Sequence, residues 1–312
     1  VYCSRISPTT VCKLDMLTIG KVDRVEITTL IEDYAGYETP FLAQHGISIL
    51  LDAKSGDTRK RVLMDVGQSS GPILHNMSIL GIDPASIDVI FLSHCHYDHT
   101  KGLTGILQEI KKEELPIVAH PTIFRQNYVL KPYLHHIGIT QENSEERIRE
   151  NGGRLVLVKE PFELLPGVIS TGEVERTTDF EVSTVGAYNL EGAKLVKDQM
   201  LDDMSLTVNV RGKGLVIVTG CAHAGIINII RHSMRITRVD GIEGVIGGFH
   251  LINASEESIE KTVRALAKID PGWVLAGHCT GFAANKRMST ALGDKFSLLH
   301  AGKTISIGGA NC

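Results

Sequence analysis

Val89-Ile90-Phe91-Leu92-Ser93 runs directly into His94-Cys95-His96-Tyr97-Asp98-His99. An apolar run of strand length therefore ends in three imidazoles and one carboxylate within six residues. Neutral imidazole and carboxylate are the side chains that suit zinc, iron or manganese, and catalytic sites of this type keep one coordination position open for water. The order His-x-His-x-Asp-His adds specificity. In a turn leaving a strand, His94 and His96 can converge on one ion while Asp98 and His99 face a second.

Three further apolar runs also end in histidine. The run 215–219 leads into Gly220-Cys221-Ala222-His223-Ala224-Gly225, Val245-Ile246 leads into Gly247-Gly248-Phe249-His250, and 274–276 leads into Gly277-His278-Cys279-Thr280-Gly281. Glycine beside each histidine lets the backbone approach whatever the ring touches. Strand ends are where an α/β sheet gathers its site. His223, His250 and His278 therefore join the first motif as candidate site residues.

Other short runs rich in Val and Ile at 25–31, 47–51, 62–66, 117–119, 155–158, 206–210 and 304–307 read as strands. Helical spacing is clearest over 254–269, where Ile259, Val263, Leu266 and Ile269 form one face and Asn253 with Glu256 suggests a capping box. Further helices are expected over 70–80, 102–112 and 225–232. Strands outnumber helices, and hairpin-like pairs stand beside strand–helix units, so the pattern predicts an α/β fold of mixed sheet with helices outside. Residues 120–153 break the rhythm. This polar stretch holds Tyr128, Lys131, Tyr133, His135 and His136 and ends in the charged run 142–150, and it is expected to be an inserted helical cap supplying contacts to a large substrate.

At 312 residues, with 22% charged and 43% hydrophobic side chains and no run of eighteen apolar residues, the chain can bury a sizeable core, and neither disorder nor a membrane span is indicated. A formal charge of -4 with no basic cluster longer than Arg59-Lys60-Arg61 leaves no nucleic-acid footprint. Cys95, Cys221 and Cys279 lie beside histidines and Cys3, Cys12 and Cys312 near the termini, which argues for a reducing, cytoplasmic setting rather than a disulfide framework. Residues 1–15 lack the charged start and apolar core of a secretory signal and read as an extension or a cloning remnant, leaving 16–312 as one catalytic domain. A homo-oligomer is left open.

From about Met16 onward the chain resembles the metallo-β-lactamase superfamily, on the strength of Leu63-Met64-Asp65-Val66-Gly67 and the metal motif Ser93 to His99. The resemblance implies a four-layer αββα sandwich of two mixed sheets with two divalent metal ions at one edge. Zinc leads, with manganese, iron or magnesium as alternatives. It implies that His94 and His96 bind the first ion, that Asp98 and His99 bind the second, and that His278 is the last ligand of the second. Members commonly carry a histidine after a Pro-Gly turn and a bridging aspartate. Here Pro166-Gly167 precedes Val168-Ile169-Ser170, and Cys221 stands at the bridge position. His223 then completes the first site, while Cys221 is left as a bridging thiolate, a nearby non-ligand or a structural thiol.

Gln44-His45-Gly46, Gly220 to Gly225, Gly247-Gly248-Phe249-His250-Leu251 and Gly277 to Gly281 resemble the dihydropteroate-synthase-like branch of that family. That likeness implies the joining of a dihydropterin methyl diphosphate to an aminobenzene ribosyl phosphate, with release of diphosphate. Asp98 and His250 are the expected catalytic residues, with His45, Tyr128, Lys131 and His250 contacting a phosphate-bearing small molecule. The alternative is a hydrolase of a phosphoester, lactone or thioester in which the metal presents hydroxide. A closed coordination shell would instead mean a structural or sensing module. A serine hydrolase is the rival of different chemistry, because Gly67-Gln68-Ser69-Ser70-Gly71 matches a nucleophile elbow; it would leave the histidines without a purpose, and Ser69 and Ser70 read better as helix-start residues.

Overall fold

The computed structural model describes residues 19–183 and 185–309. Residues 1–15, the strand-like start at Met16, and Cys3, Cys12 and Cys312 lie outside the described residues. Two seven-stranded sheets stack face to face. In spatial order the first holds β18 (Thr304–Gly308), β1 (Arg24–Ile31), β2 (Ser48–Ser55), β3 (Thr58–Met64), β4 (Val89–Phe91), β5 (Leu115–Ala119) and β8 (Gly153–Leu157). The second holds β17 (Phe296–Leu298), β16 (Trp273–Gly277), β15 (Ile242–Gly248), β14 (Gly214–Thr219), β13 (Leu206–Val210), β10 (Val168–Ser170) and β9 (Phe162–Leu165). Each is mixed. Pairings are antiparallel from β18 to β3 and parallel from β3 to β8; the second sheet is parallel from β17 to β14 and antiparallel from there to β9.

Alternation along the strands builds the layers. Val62, Met64, Val89 and Phe91 point into the core between the sheets, where they meet Leu206, Val208, Val216 and Val218. Leu63 and Ile90, one residue out of phase, face the other way onto Ile73 and Met77 of α1 (Ser70–Ile79) and Leu103, Ile106 and Ile110 of α3 (Leu103–Ile110). Leu215 and Ile217 likewise turn outward toward α5 (Ile226–Thr237), α6 (Glu256–Ile269) and α7 (Phe282–Leu292). A side-chain period of two against two buried faces explains why these strands read as continuous apolar runs. The result is the expected αββα sandwich.

The segment expected as a helical cap is different. Residues 120–153 carry β6 (Asn127–Val129), β7 (His135–His136) and one six-residue helix, α4 (Glu145–Glu150). β6 and β7 join β11 (Ala187–Glu191) and β12 (Lys194–Lys197) in a third, antiparallel sheet. Helix is confined to the later part of the segment, and β6 pairs with a strand far along the chain, a partner no local pattern announces. Around Ile137, Ala187 and Met200 this sheet packs on Tyr97, beside the first motif.

Two smaller expectations also shift. α6 is capped by Ser255, whose side chain accepts from Ser258 N, rather than by Asn253. α7 gave no sequence signal, because only Ala284 and Met288 of its residues are fully buried.

Candidate metal centre

The register of three parallel strands gathers the later histidines. Thr219 pairs with Gly247 and Gly248 with Gly277, so Cys221 and His223, His250, and His278 leave adjacent strand ends side by side. His94 leaves β4 of the facing sheet, and His96 caps the single turn α2 (Tyr97–Thr100) that carries Asp98 and His99. Several of these positions need left-handed backbone: φ is 57° at Asp65, 55° at Ala222, 42° at His250 and 49° at His278. Such conformations persist only where surrounding contacts over-determine them, and they cluster at functional sites.

Two donor groups form. The rings of His94 and His96 lie 4.5 Å apart, and that of His223 lies 4.8 Å from the first and 4.9 Å from the second. In the other group Asp98 Oδ2 is 3.5 Å from His99 Nε2 and 3.2 Å from His278 Nε2. Cys221 stands between them, its Sγ 3.1 Å from His99 Nε2. The donor atoms of His94, Cys221 and His223 lie within 4.8 Å of one another, as do those of His99, Cys221 and His278.

Among the described residues, the buried Nε2 atoms of His94, His96, His223 and His278 have no hydrogen-bond partner. Leaving such atoms unsatisfied costs about 1–3 kcal/mol each, so four of them within two adjoining donor groups call for occupants. Ligand atoms on one zinc sit roughly 3.3–3.7 Å apart, from bonds of about 2.0–2.3 Å at tetrahedral angles. The second group's atom separations of 3.1, 3.5 and 3.2 Å are close to this. This donor set therefore fits divalent metal.

In the first group the electrostatics agree. Burial, aided by the neighbouring imidazoles, holds His94 and His223 well below the ordinary histidine range, and burial brings His96 down to about 4. Burial thus favours the neutral form of these rings, the form that binds a metal. Burial opposes ionisation of Asp98, but His99 and His278 outweigh it and hold the carboxyl far below its usual range.

Carboxylates fix the rings from behind. Buried Asp65 accepts from Ser93 N, Ser93 Oγ and His99 Nδ1, each at 2.7 Å, which turns His99 Nε2 inward. Asp33 Oδ1 lies 2.9 Å from His278 Nδ1, and its Oδ2 lies 3.1 Å from His45 Nδ1. Glu32 accepts the His278 backbone N–H, and burial pushes its carboxyl up to about 7. Asp203 accepts from Ala224 N at 2.9 Å and Asp202 from Cys95 N at 2.8 Å, pinning the loops that carry His223 and His96. Such partners set the tautomer and aim of a ligand. None of these five acids was assigned a role from the sequence, although Asp65 lies in the stretch Leu63 to Gly67 that carries the family resemblance.

The other expected residues divide. His45 is at the site: its Nε2 is 3.4 Å from Asp98 Oδ2 and its ring 5.1 Å from that of His278. The His250 ring lies 4.2 Å from that of His223, tilted by 50°, with Nδ1 buried and unpartnered among the described residues. Tyr128 is elsewhere, packed on His136 with its hydroxyl donated to Gln126, and Lys131 follows β6 on an exposed turn. Neither has a hydrogen bond or ion pair to the histidines among the described residues. β6, which carries Tyr128, pairs with β11 and β7 in the third sheet, which packs on Tyr97. Ser69 is the N-cap residue of α1 and Ser70 packs on Gly105, with no histidine bonded to either among the described residues, so no triad forms.

Beside His278 opens a cleft of about 540 Å³, floored by Glu32, Asp33 and Tyr34 and walled by Phe282, Asn285 and Lys286 of α7. Phe282 is 84% exposed, and the Lys286 ammonium has no ion pair among the described residues.

A sandwich of two mixed sheets with this constellation at the strand ends defines the class. The chain belongs to the metallo-β-lactamase superfamily, and residues 42–185 match that family directly. It is 44% identical over 293 residues, 93% of its own length and 99% of the relative's, to the 7,8-dihydropterin-6-methyl-4-(β-D-ribofuranosyl)-aminobenzene-5'-phosphate synthase of Methanocaldococcus jannaschii. Among solved structures, Tm1679, described as a metal-dependent hydrolase of the β-lactamase superfamily, aligns with a TM-score of 0.76 at 27% identity, covering 91% of this chain and 100% of that one. YhfI of Bacillus subtilis, at 13% identity and a TM-score of 0.54 over 91% and 99%, shares the fold. The chain is an enzyme of this superfamily. No helix among the described residues is long and apolar enough to cross a membrane.

Proposed function

We propose that this enzyme joins a dihydropterin methyl diphosphate to an aminobenzene ribosyl phosphate and releases diphosphate, in a reducing, cytoplasmic setting. The observation that carries this reading is 44% identity over 99% of a synthase named for that product, together with a complete convergent donor set. His94, His96 and His223 would hold one divalent ion and Asp98, His99 and His278 a second. Such ions neutralise charge developing on a departing diphosphate. The chain's own groups do the positioning: Asp65 aims His99, Asp33 aims His278 and His45, and His250 borders the His223 side, where it can meet substrate. The cleft beside His278 offers room for the aromatic acceptor, with Phe282 for its ring and Lys286 for its phosphate. Carbon, not phosphorus, is then the reacting centre.

A hydrolase is the second reading, favoured by the similarity to Tm1679. Both need the same ligands, so substrate must separate them. Metal-loaded protein is incubated with the pterin diphosphate, with and without the aminobenzene ribosyl phosphate, and products are followed by mass spectrometry. Coupled product that depends on acceptor supports the synthase. Diphosphate release without coupling supports hydrolysis, and no reaction with either sinks the synthase reading.

A further inference from the structure

One sulfur lies within reach of both donor groups. Cys221 is 2% exposed and leaves the end of β14 between the rings of two strand systems. Its Sγ is grouped with the nitrogens of His94 and His223 on one side and with those of His99 and His278 on the other, all within 4.8 Å in each set. On the second side it continues a run of contacts of ligand length: sulfur to His99 Nε2 3.1 Å, that nitrogen to Asp98 Oδ2 3.5 Å, and that oxygen to His278 Nε2 3.2 Å. The backbone holds it there. Ala222, the next residue, has φ 55°, and Gly220 cannot become larger because a Cβ would stand 2.3 Å from Ser93 Oγ and 2.8 Å from Asp65 Oδ2.

The two neighbouring thiols stand differently. Cys95 is turned into the apolar cluster under α1 and α3. Cys279 hydrogen-bonds the backbone, accepting from His250 N at 3.3 Å and donating to Cys221 O at 3.6 Å. Its Sγ also lies within 4.8 Å of Cys221 Sγ and a His250 ring nitrogen, to one side of the two ligand sets. Cys221 Sγ, by contrast, is grouped with His94 and His223 and with His99 and His278, and of these the Nε2 atoms of His94, His223 and His278 have no hydrogen-bond partner among the described residues.

We propose that Cys221 is a shared thiolate ligand, its sulfur joining the His94–His96–His223 set to the Asp98–His99–His278 set, so that the centre takes thiophilic divalent ions such as zinc, ferrous iron or cobalt in preference to magnesium. This rests on the reading of the cluster as a metal centre. On loading, the S–H bond breaks, the proton leaves to solvent and sulfur lone pairs bind the two ions; no electron is transferred. Soft sulfur favours zinc and iron, whereas magnesium demands a near-octahedral oxygen shell that this nitrogen-rich set cannot supply.

Full-length protein stripped with chelator is titrated with cobalt(II) alone. Visible ligand-field bands report uptake, and a near-ultraviolet sulfur-to-cobalt charge-transfer band reports thiolate. The charge-transfer band is expected to grow over both equivalents, with the electron paramagnetic resonance signal weakened at the second by coupling through the bridge. Cys221→Ser and Cys221→Asp should bind cobalt without the band, and Cys279→Ser should keep it. X-ray absorption on zinc-loaded wild type, which needs no variant to fold, should show a sulfur shell near 2.3 Å. Cobalt taken up with ligand-field bands but no charge transfer overturns the proposal, as does a band that survives Cys221→Ser or saturates at one equivalent. Absence of any uptake overturns the metal-centre reading itself.

Discussion

Asp65 shows how much of this site depends on groups one layer behind the ligands. Three hydrogen bonds to Ser93 and His99 tie the first motif to the end of β3. Asp65→Asn keeps the volume but loses acceptor capacity toward His99 Nδ1, and metal affinity is expected to fall about 10–100-fold, read by competition with a chromogenic chelator. Asp98→Ala should lower bound metal and activity together; full activity with full metal content would refute its place in the site. Ser69→Ala should leave both unchanged and the wild-type enzyme should resist a serine-directed phosphonate, since the helix start holds no base for that hydroxyl. The histidines were legible because ligand-type residues at strand ends are rare by chance. Asp33, Asp65, Asp202, Asp203 and Glu32 were not, because an orienting carboxylate is recognised only by what it faces.

At the level of elements, the ligand turn is held by close backbone contact. Gly46 has φ 121°, and a Cβ there would stand 2.1 Å from Asp98 O. Gly46→Ala therefore combines left-handed strain with a clash against backbone that cannot swing away. A loss of about 1–3 kcal/mol is expected, seen as a lower thermal midpoint, with metal content falling because α2 is displaced. Unchanged stability and metal content would show that the turn tolerates a shift. The eleven strands read from the sequence are the ones whose Val, Ile and Leu residues recur within a short run. Those missed, β6, β7, β9 to β12 and β17, are short or polar and exist through pairing, as the third sheet does. α7 was invisible for a related reason: a helix that lays two residues on the core has almost no periodic signal.

For the whole molecule, the unpaired buried imidazoles make stability depend on loading. Metal at about 100 times its dissociation constant adds roughly 2.7 kcal/mol through binding to the folded state alone. Chelation should thus lower the thermal midpoint, and zinc should restore it where magnesium does not. A midpoint indifferent to both would argue against a filled centre. The cleft between Tyr34 and α7 belongs to this scale as well, since it joins the loop after β1 to a helix from the far end of the chain. Lys286→Glu should raise KM for the phosphate-bearing acceptor about tenfold with kcat little changed, the size of one charge-assisted hydrogen bond. An unchanged KM would place the acceptor elsewhere.

By itself the sequence determined the layered α/β class, the longer strands of the two large sheets and the histidine-rich motif, because these rest on local period and on residue types that serve few other purposes. The tertiary structure alone decided which donors share a point in space. It brought His223 to His94 and His96, set Cys221 between the two groups, supplied the carboxylates behind the rings, and made a sheet of the expected helical cap. Each of these depends on contacts between residues far apart along the chain, and no local pattern carries that distance.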